Sequence, residues 1–372
     1  MSGERDGVTL FLCGDVMTGR GVDQVLPHPC PPTLHESAVR SALRYVELAE
    51  RAHGPIPRPV DYDYIWGDAL KVLDRVRPDL RIINLETSIT TSEAFAPKGI
   101  NYRMHPANVP VLAAAAVDCC VLANNHVLDW GEAGLLETLD TLARAGIRVA
   151  GAGRDDDAAR APAVLPTASG RRVLVFAFGA GDSGIPVDWA ATPTRPGVNR
   201  LAELDDSAVA RIARDCAAHR QPDDLVVASI HWGANWGYHV PAEQRRFARA
   251  LMDRAGVHLV HGHSSHHPKA TELYHDRLIL YGCGDLVDDY EGISGYEEFR
   301  DDLVLMYFPT LEAGTGRLTR LAMAPMQIHR FRLRSPSPSD RAWLQSTLDH
   351  ECRRFGHRIA RGAHHTLSLA AA

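Results

Sequence analysis

Carboxylate, amide and imidazole side chains recur in this sequence directly behind short apolar runs. Val8–Cys13 leads into Gly14-Asp15, and Leu80–Ile83 into Asn84-Leu85-Glu86. Val117–Ala123 leads into Asn124-Asn125-His126, with Asp129 just beyond. Leu225–Ile230 leads into His231-Trp232-Gly233, and Val257–Val260 into His261-Gly262-His263-Ser264-Ser265-His266-His267. Leu278–Tyr281 leads into Gly282-Cys283-Gly284-Asp285. Hard oxygen donors and imidazoles without a thiolate suit a divalent Mn, Fe or Zn centre rather than a structural zinc site. Each piece alone has a plain structural reading: a Gly-Asp turn, an Asn helix cap, a packed His-Trp-Gly corner, surface histidines. Their force is joint, because six apolar runs all end in the same chemistry.

The elements that must position these groups are those of an α/β protein, since the apolar runs alternate with helical patterns. Further strands are expected at Ile147–Ala150, Val173–Phe178 and Leu303–Phe308. Helices are expected at Leu43–Ala52, Asp68–Arg75, Glu132–Ala145, Asp206–Ala218 and Pro241–Ala255. Open α/β sheets bind ligands at the carboxyl ends of their strands, where all six polar segments fall. The Pro-rich stretches 27–32 and 55–59 read as irregular loops, and 179–197 as a loop able to cover a site. Ser335-Pro-Ser-Pro-Ser reads as a linker into a last helix, Asp340 to Phe355, followed by a frayed tail. The expected organisation is one large domain over 1–334 and a C-terminal helical extension over 335–372.

Composition bounds the reading. The 372 residues are 23% charged and 45% apolar with a net charge of −6, enough for a full-sized core and too ordered for a disordered chain. Net acidity without a basic run argues against nucleic acid as a partner. Of the 19 histidines, eight fall between His231 and His275. Seven cysteines, including the apolar Cys119-Cys120 pair, read as buried reduced thiols. No signal-peptide pattern and no apolar stretch of about 18 residues occurs, which predicts a cytoplasmic protein without direct membrane insertion.

Taken in order, Gly14-Asp15-Val16-Met17, Asn84-Leu85-Glu86-Thr87, Ala123-Asn124-Asn125-His126, His231-Trp232-Gly233, Gly262-His263 with His266, and Gly284-Asp285 carry a resemblance. The chain resembles the bacterial CapA family of capsule or poly-γ-glutamate synthesis accessory proteins, within the calcineurin-like metallophosphoesterase superfamily. The resemblance spans about Val8 to Phe308. It implies a four-layer α-β-β-α sandwich and a centre of two divalent ions, with Asp15, Glu86, Asn125, His231, His263 and His266 as ligands. His267 is the alternative to His266, because Ser264-Ser265 stands where His-Pro is more common. It implies that His126 is the general acid or charge stabiliser, and that Asp129 and Asp285 orient imidazoles from behind. Two departures from the superfamily stand out: Met17 where a ligating His is usual, and Glu86 where a shorter Asp is usual.

Three other motifs point elsewhere and are set aside. Gly181-Asp182-Ser183-Gly184 resembles a serine-protease nucleophile segment in the wrong fold context. Gly151-Ala152-Gly153 has Asp156 where a dinucleotide fingerprint needs its third glycine. Gly14, Gly19 and Gly21 have the wrong spacing for a phosphate-binding loop. The expected function is a metal-dependent hydrolase or transferase of a phosphoester or amide bond, in capsule, polyglutamate or cell-envelope metabolism. The alternative is a non-catalytic accessory protein that holds an anionic polymer or partner in the metal pocket. The expected partners are an anionic small molecule or polymer and a membrane-bound synthesis complex that recruits the chain to the inner membrane face.

Overall fold

A computed structural model describes residues 7–371. It is a mixed α/β structure built on two large sheets. The central strand of the first, Gly7–Val16, runs parallel to Leu80–Leu85, with Cys119–Val121 and Arg148–Ala150 following outward. On its other side Leu303–Glu312 is antiparallel, followed by Leu318–Ile328 and the C-terminal pair Leu367–Ala371 and His357–Arg361. Asp285–Val287 pairs in parallel with the end of the central strand, setting Asp15 opposite Asp285. The second sheet orders Arg200–Leu201, Arg172–Ala180, Leu225–His231, Leu259–His263, Arg277–Leu280 and Thr271–Tyr274, with Ala163–Pro166 on Arg172–Ala180.

The central strands of both sheets are buried on both faces, and the alternation of side chains sorts their residues into separate cores. Val8, Leu10 and Leu12 of the central strand share one core with Val173, Val175 and Ala177 of the second sheet. Phe11 and Cys13, pointing the other way, pack with Val46, Leu73 and Leu135 of the helices Leu43–His53, Asp68–Val76 and Gly131–Arg144. Leu174, Phe176 and Phe178 pack with Ile212 and Leu251 of the helices Asp206–His219 and Ala242–Arg254. Polar residues therefore gather chiefly near strand ends, which concentrates the chemistry at one rim.

The C-terminal region departs from expectation. Ser337 Oγ accepts a hydrogen bond from Asp340 N at 3.1 Å and caps the helix Pro338–Cys352, whose Pro occupies the first turn. Leu344, Leu348 and Cys352 join Ile359 and Leu367 in the core shared by the two sheets. The expected frayed tail instead supplies two paired strands, with Ala372 outside the described residues. No strand was expected at Leu318–Ile328, and Pro325 is an unusual residue for a central strand. It is tolerated because Pro325 pairs with Leu305 on one side and falls between the short segments that pair on the other. All seven cysteines are buried and unbridged. Among the described residues no helix is long and apolar enough to cross a membrane.

Candidate metal centre

The six polar segments meet at one end of the paired sheets. Several lie inside the strands rather than after them: Asp15 is the penultimate residue of its strand, and His231 and His263 are the last of theirs. Strand register sets His231 directly beside His263. Close approach of the first sheet's strands requires glycine at two points. A Cβ on Gly14 would sit 1.5 Å from Gly284 O, and Gly284 itself has φ +77°. The Asp15 N–H donates to Gly284 O at 3.0 Å, which brings Asp285 alongside.

Two buried triads result, and they share one residue. Asp15 with His231 and His263 forms the first, and Asp15 with His266 and Asp285 the second; within each, the donor atoms lie within 4.8 Å of one another. His231 Nδ1 is 2.9 Å from His263 Nδ1, and Asp15 Oδ1 is 3.8 Å from His263 Nδ1. His266 Nδ1 is 2.9 Å from Asp285 Oδ1, with Asn235 Nδ2 3.0 Å from its Nε2. Asn125 Oδ1 is 3.0 Å from His231 Nε2. Glu86 is joined to Asp15 through Asn84, whose Nδ2 donates to Asp15 Oδ1 at 2.7 Å and reaches Glu86 Oε2 at 3.5 Å. Of the adjacent pair, His266 is the one that faces this cluster. His267 packs against Tyr238 and Phe299, and its Nε2 accepts from Gly237 N at 3.0 Å.

The arrangement fits a cation on three counts. Oδ2 of both Asp15 and Asp285 is buried without a hydrogen-bond partner, an expensive state for a carboxylate. Burial, and then the neighbouring Asp15, drives the Glu86 and Asp285 carboxyls well above their usual range; burial also raises Asp15 itself. Carboxylates crowded this way need a positive charge among them. Finally, the imidazoles are held in the neutral, ligating form: burial keeps His231 and His263 well below the usual histidine value, with His126 adding to the effect on His231 and His231 to that on His263.

The orientation of His263 is fixed from behind by residues the sequence did not single out. His261 Nε2 donates to Cys13 O at 2.7 Å, so its Nδ1 accepts from Ser229 Oγ at 3.0 Å. Ser229 Oγ then accepts from His263 Nε2 at 2.9 Å. This chain leaves Nδ1 of neutral His263 as a lone pair directed into the first triad.

His126 stands at the edge of the cluster. Its Nδ1 is 2.6 Å from Asp129 Oδ2, which accepts the proton, and its Nε2 lies 3.7 Å from Glu86 Oε1. Burial pushes His126 down to about 4 against the opposing pull of Asp129. Lys98 also belongs here: its ammonium is 2.9 Å from Asp129 Oδ1, donates to Asn125 O and lies 5.1 Å from the Trp189 ring centroid. Lys98 comes from an irregular loop with no spacing pattern, so no sequence signal marks it. Asn84 and Asn124 were quoted only as motif members, yet Asn124 Nδ2 donates to Asn84 Oδ1 at 3.0 Å and locks two strand ends together.

Segment 179–197 lies over part of the cluster. It forms short 3-10 turns, Gly181–Ser183 and Val187–Trp189, and Ser183 Oγ donates to His231 O at 3.1 Å. Ser183 is buried and bonded to backbone carbonyls, unlike an exposed nucleophile. Met17 is also buried, its Sδ 3.6 Å from Tyr290 Oη.

The family described as "Bacterial capsule synthesis protein PGA_cap" matches residues 9–290, which contain every residue of both triads. The chain belongs to this family. Among relatives, a Mycobacterium tuberculosis protein described as "Probable polyglutamine synthesis accessory protein" is 48% identical over 361 residues, covering 96% of this chain and 95% of its own. The "PGA biosynthesis protein CapA" of Bacillus subtilis is 26% identical over 326 residues, covering 87% of this chain and 72% of its own. The "Capsule biosynthesis protein CapA" of Bacillus anthracis is 26% identical over 308 residues, covering 82% of this chain and 64% of its own. The PGA_cap match and the CapA relatives agree with the family resemblance drawn from the motifs.

Proposed function

We propose that this PGA_cap protein is a metal-dependent hydrolase or transferase acting on a phosphoester or amide bond in capsule or polyglutamate synthesis. The observation that carries the reading is the Asp15 carboxylate shared by two buried triads. Asp15 would help to hold both of two divalent ions (Mn, Fe or Zn). His231 and His263 would serve one ion and His266 and Asp285 the other, with Glu86 and Asn125 completing the set. Bound there, such ions supply electrophilic polarisation of an anionic oxygen and acidification of a water.

The chain's own groups supply the rest. Asp129 holds the His126 proton on Nδ1, so Nε2 faces the cluster as the site of proton exchange. Neutral in the resting protein, His126 would take at Nε2 the proton lost by the attacking water and pass it to the leaving oxygen or nitrogen. Lys98 and Asp129 fix the imidazole's position. The three cores and the helices outside both sheets support a four-layer sandwich of the metallophosphoesterase type. The proposed setting is the cytoplasmic face of a membrane-bound polymer synthesis complex.

A second reading is a non-catalytic accessory protein that holds an anionic polymer in the same pocket. Met17 favours it, since a buried thioether stands where the superfamily places a ligating histidine and is a poor donor to a hard ion. A panel of phosphoesters and γ-glutamyl peptides, assayed after chelation and after Mn, Fe or Zn reconstitution, separates the two. Metal-restored turnover that disappears in the Asn125→Ala, His231→Ala variant supports the enzyme. Turnover that survives the double substitution removes it, and binding of glutamate oligomers without turnover selects the accessory reading.

A further inference from the structure

A second concave region lies on the outer face of the ten-stranded sheet, at the end remote from Asp15. There a cleft of about 690 Å³ opens between the helix Asp68–Val76 and the turn at 363–366. Its floor includes Thr9, which is six residues from Asp15 along one strand, or about 20 Å at ~3.3 Å per residue. The cleft is therefore separate from the metal centre.

Floor and rim differ in character. Phe308 and Ala322 back the floor but are themselves buried in the core, so the floor presents the Thr9 and Thr310 hydroxyls, 2.9 Å apart. The rim carries Arg75, Arg317, Arg320 and His364. Arg317 is taken up by Glu312 at 2.7 Å, but among the described residues Arg75 and Arg320 have no carboxylate partner. A smaller cleft of about 260 Å³ shares Arg75 and His364 and continues past Lys71, Arg341 and His365. Lys71 is paired with Asp68 at 2.8 Å, whereas Arg341 donates only to Pro336 O. The two clefts thus form one trough with three uncompensated guanidinium groups along it.

The C-terminal turn is shaped toward this trough. His364 and His365 hold φ values of +52° and +63°, in the left-handed region that non-glycine residues seldom occupy. Gly362 N–H donates to Thr366 O at 2.6 Å, and Thr366 Oγ1 to Ala363 O at 2.7 Å, closing the turn that presents both imidazoles.

We propose that this trough binds an extended acidic polyamide chain. Its side-chain carboxylates would pair with Arg75, Arg320 and Arg341, and its amide groups would meet the threonine hydroxyls of the floor. Guanidinium groups match carboxylates geometrically. The polymer's identity rests on the proposed capsule and polyglutamate setting; the trough itself does not depend on the metal centre.

The test uses the full chain and a fluorescently labelled γ-linked glutamate decamer, with binding followed by anisotropy at 50 and 200 mM salt. The expected result is at least tenfold weaker binding by the Arg75→Glu, Arg320→Glu variant, a less than twofold change in Asp15→Asn, and clear weakening by salt. The double variant also keeps its metal-dependent turnover, which separates this outcome from failure of the enzyme reading. Undiminished binding by the double variant, no binding of the decamer, or tighter binding of polyphosphate of equal charge overturns the proposal. Loss of binding in Asp15→Asn alone also overturns it, by placing the polymer at the metal centre.

Discussion

Replacing Asp15 with Asn should make the metal-free protein more stable while abolishing its response to metal. Asp15 is buried with Glu86 and Asp285 around it, and its Oδ2 has no donor. Burial raises all three carboxyls in the folded state. A raised carboxyl gives stability that is complete below its unfolded value, near 4, and is lost as pH rises toward the folded value. At pH 7.5 the metal-free fold therefore carries a penalty that Asn removes. Asn is isosteric, its carbonyl can still accept from Asn84 Nδ2, and its amide can donate to the neighbouring carboxylates. A buried polar atom left without a partner costs about 1–3 kcal/mol, which for a chain of this size is a rise in Tm of roughly 1–4 °C when relieved. In wild type, metal at 100 times its Kd should itself add about 2.7 kcal/mol. Differential scanning calorimetry at pH 7.5, with chelator and then with Mn, reads both effects. A metal-free Asp15→Asn protein less stable than wild type, or one stabilised by metal as much as wild type, refutes the reasoning.

Other expectations follow from the same geometry. His126→Gln should lower kcat by about 10²–10⁴-fold with little change in KM, and Asp129→Asn by a smaller factor; steady-state kinetics that show less than a tenfold loss for His126→Gln contradict its role. His258 accepts from Val226 N at 2.9 Å, and burial holds it at about 3. Its contribution is present above about 6.5 and is lost as pH falls toward 3, so denaturant unfolding in chelator should show a pH slope that His258→Asn reduces by about one proton. Gly14→Ala places a Cβ 1.5 Å from Gly284 O; the Asp15–Asp285 pairing must separate, at a cost of about 3 kcal/mol or more, visible as a lower denaturant midpoint with unchanged helix content.

Much of this site is readable in the sequence because the fold gathers polar groups chiefly near strand ends. Two-sided burial makes the interiors of the central strands apolar, so Asp15, Asn84, Asn125, His231 and His263 stand out where the apolar runs stop. The placement of Asp285 beside Asp15 was not readable as a direct donor position, since it depends on a parallel pairing between residues 270 positions apart. The Ser229–His261 chain was hidden for the same reason: its members are in register on adjacent strands, and Ser229 looks like any strand residue. Lys98 gave no signal because a loop residue's position is set by tertiary contacts. The terminal strands were masked by composition, the Ala-rich end obscuring the alternation in Leu367–Ala371.

The central claim is that Asp15 joins two metal positions. Elemental analysis of wild-type and Asp15→Asn protein, each reconstituted with Mn, Fe or Zn and freed of excess ion, tests it most directly. The account predicts about two tightly held equivalents in wild type and near none in the variant. Less than a tenth of an equivalent in wild type, or equal loading of the two proteins, would contradict it.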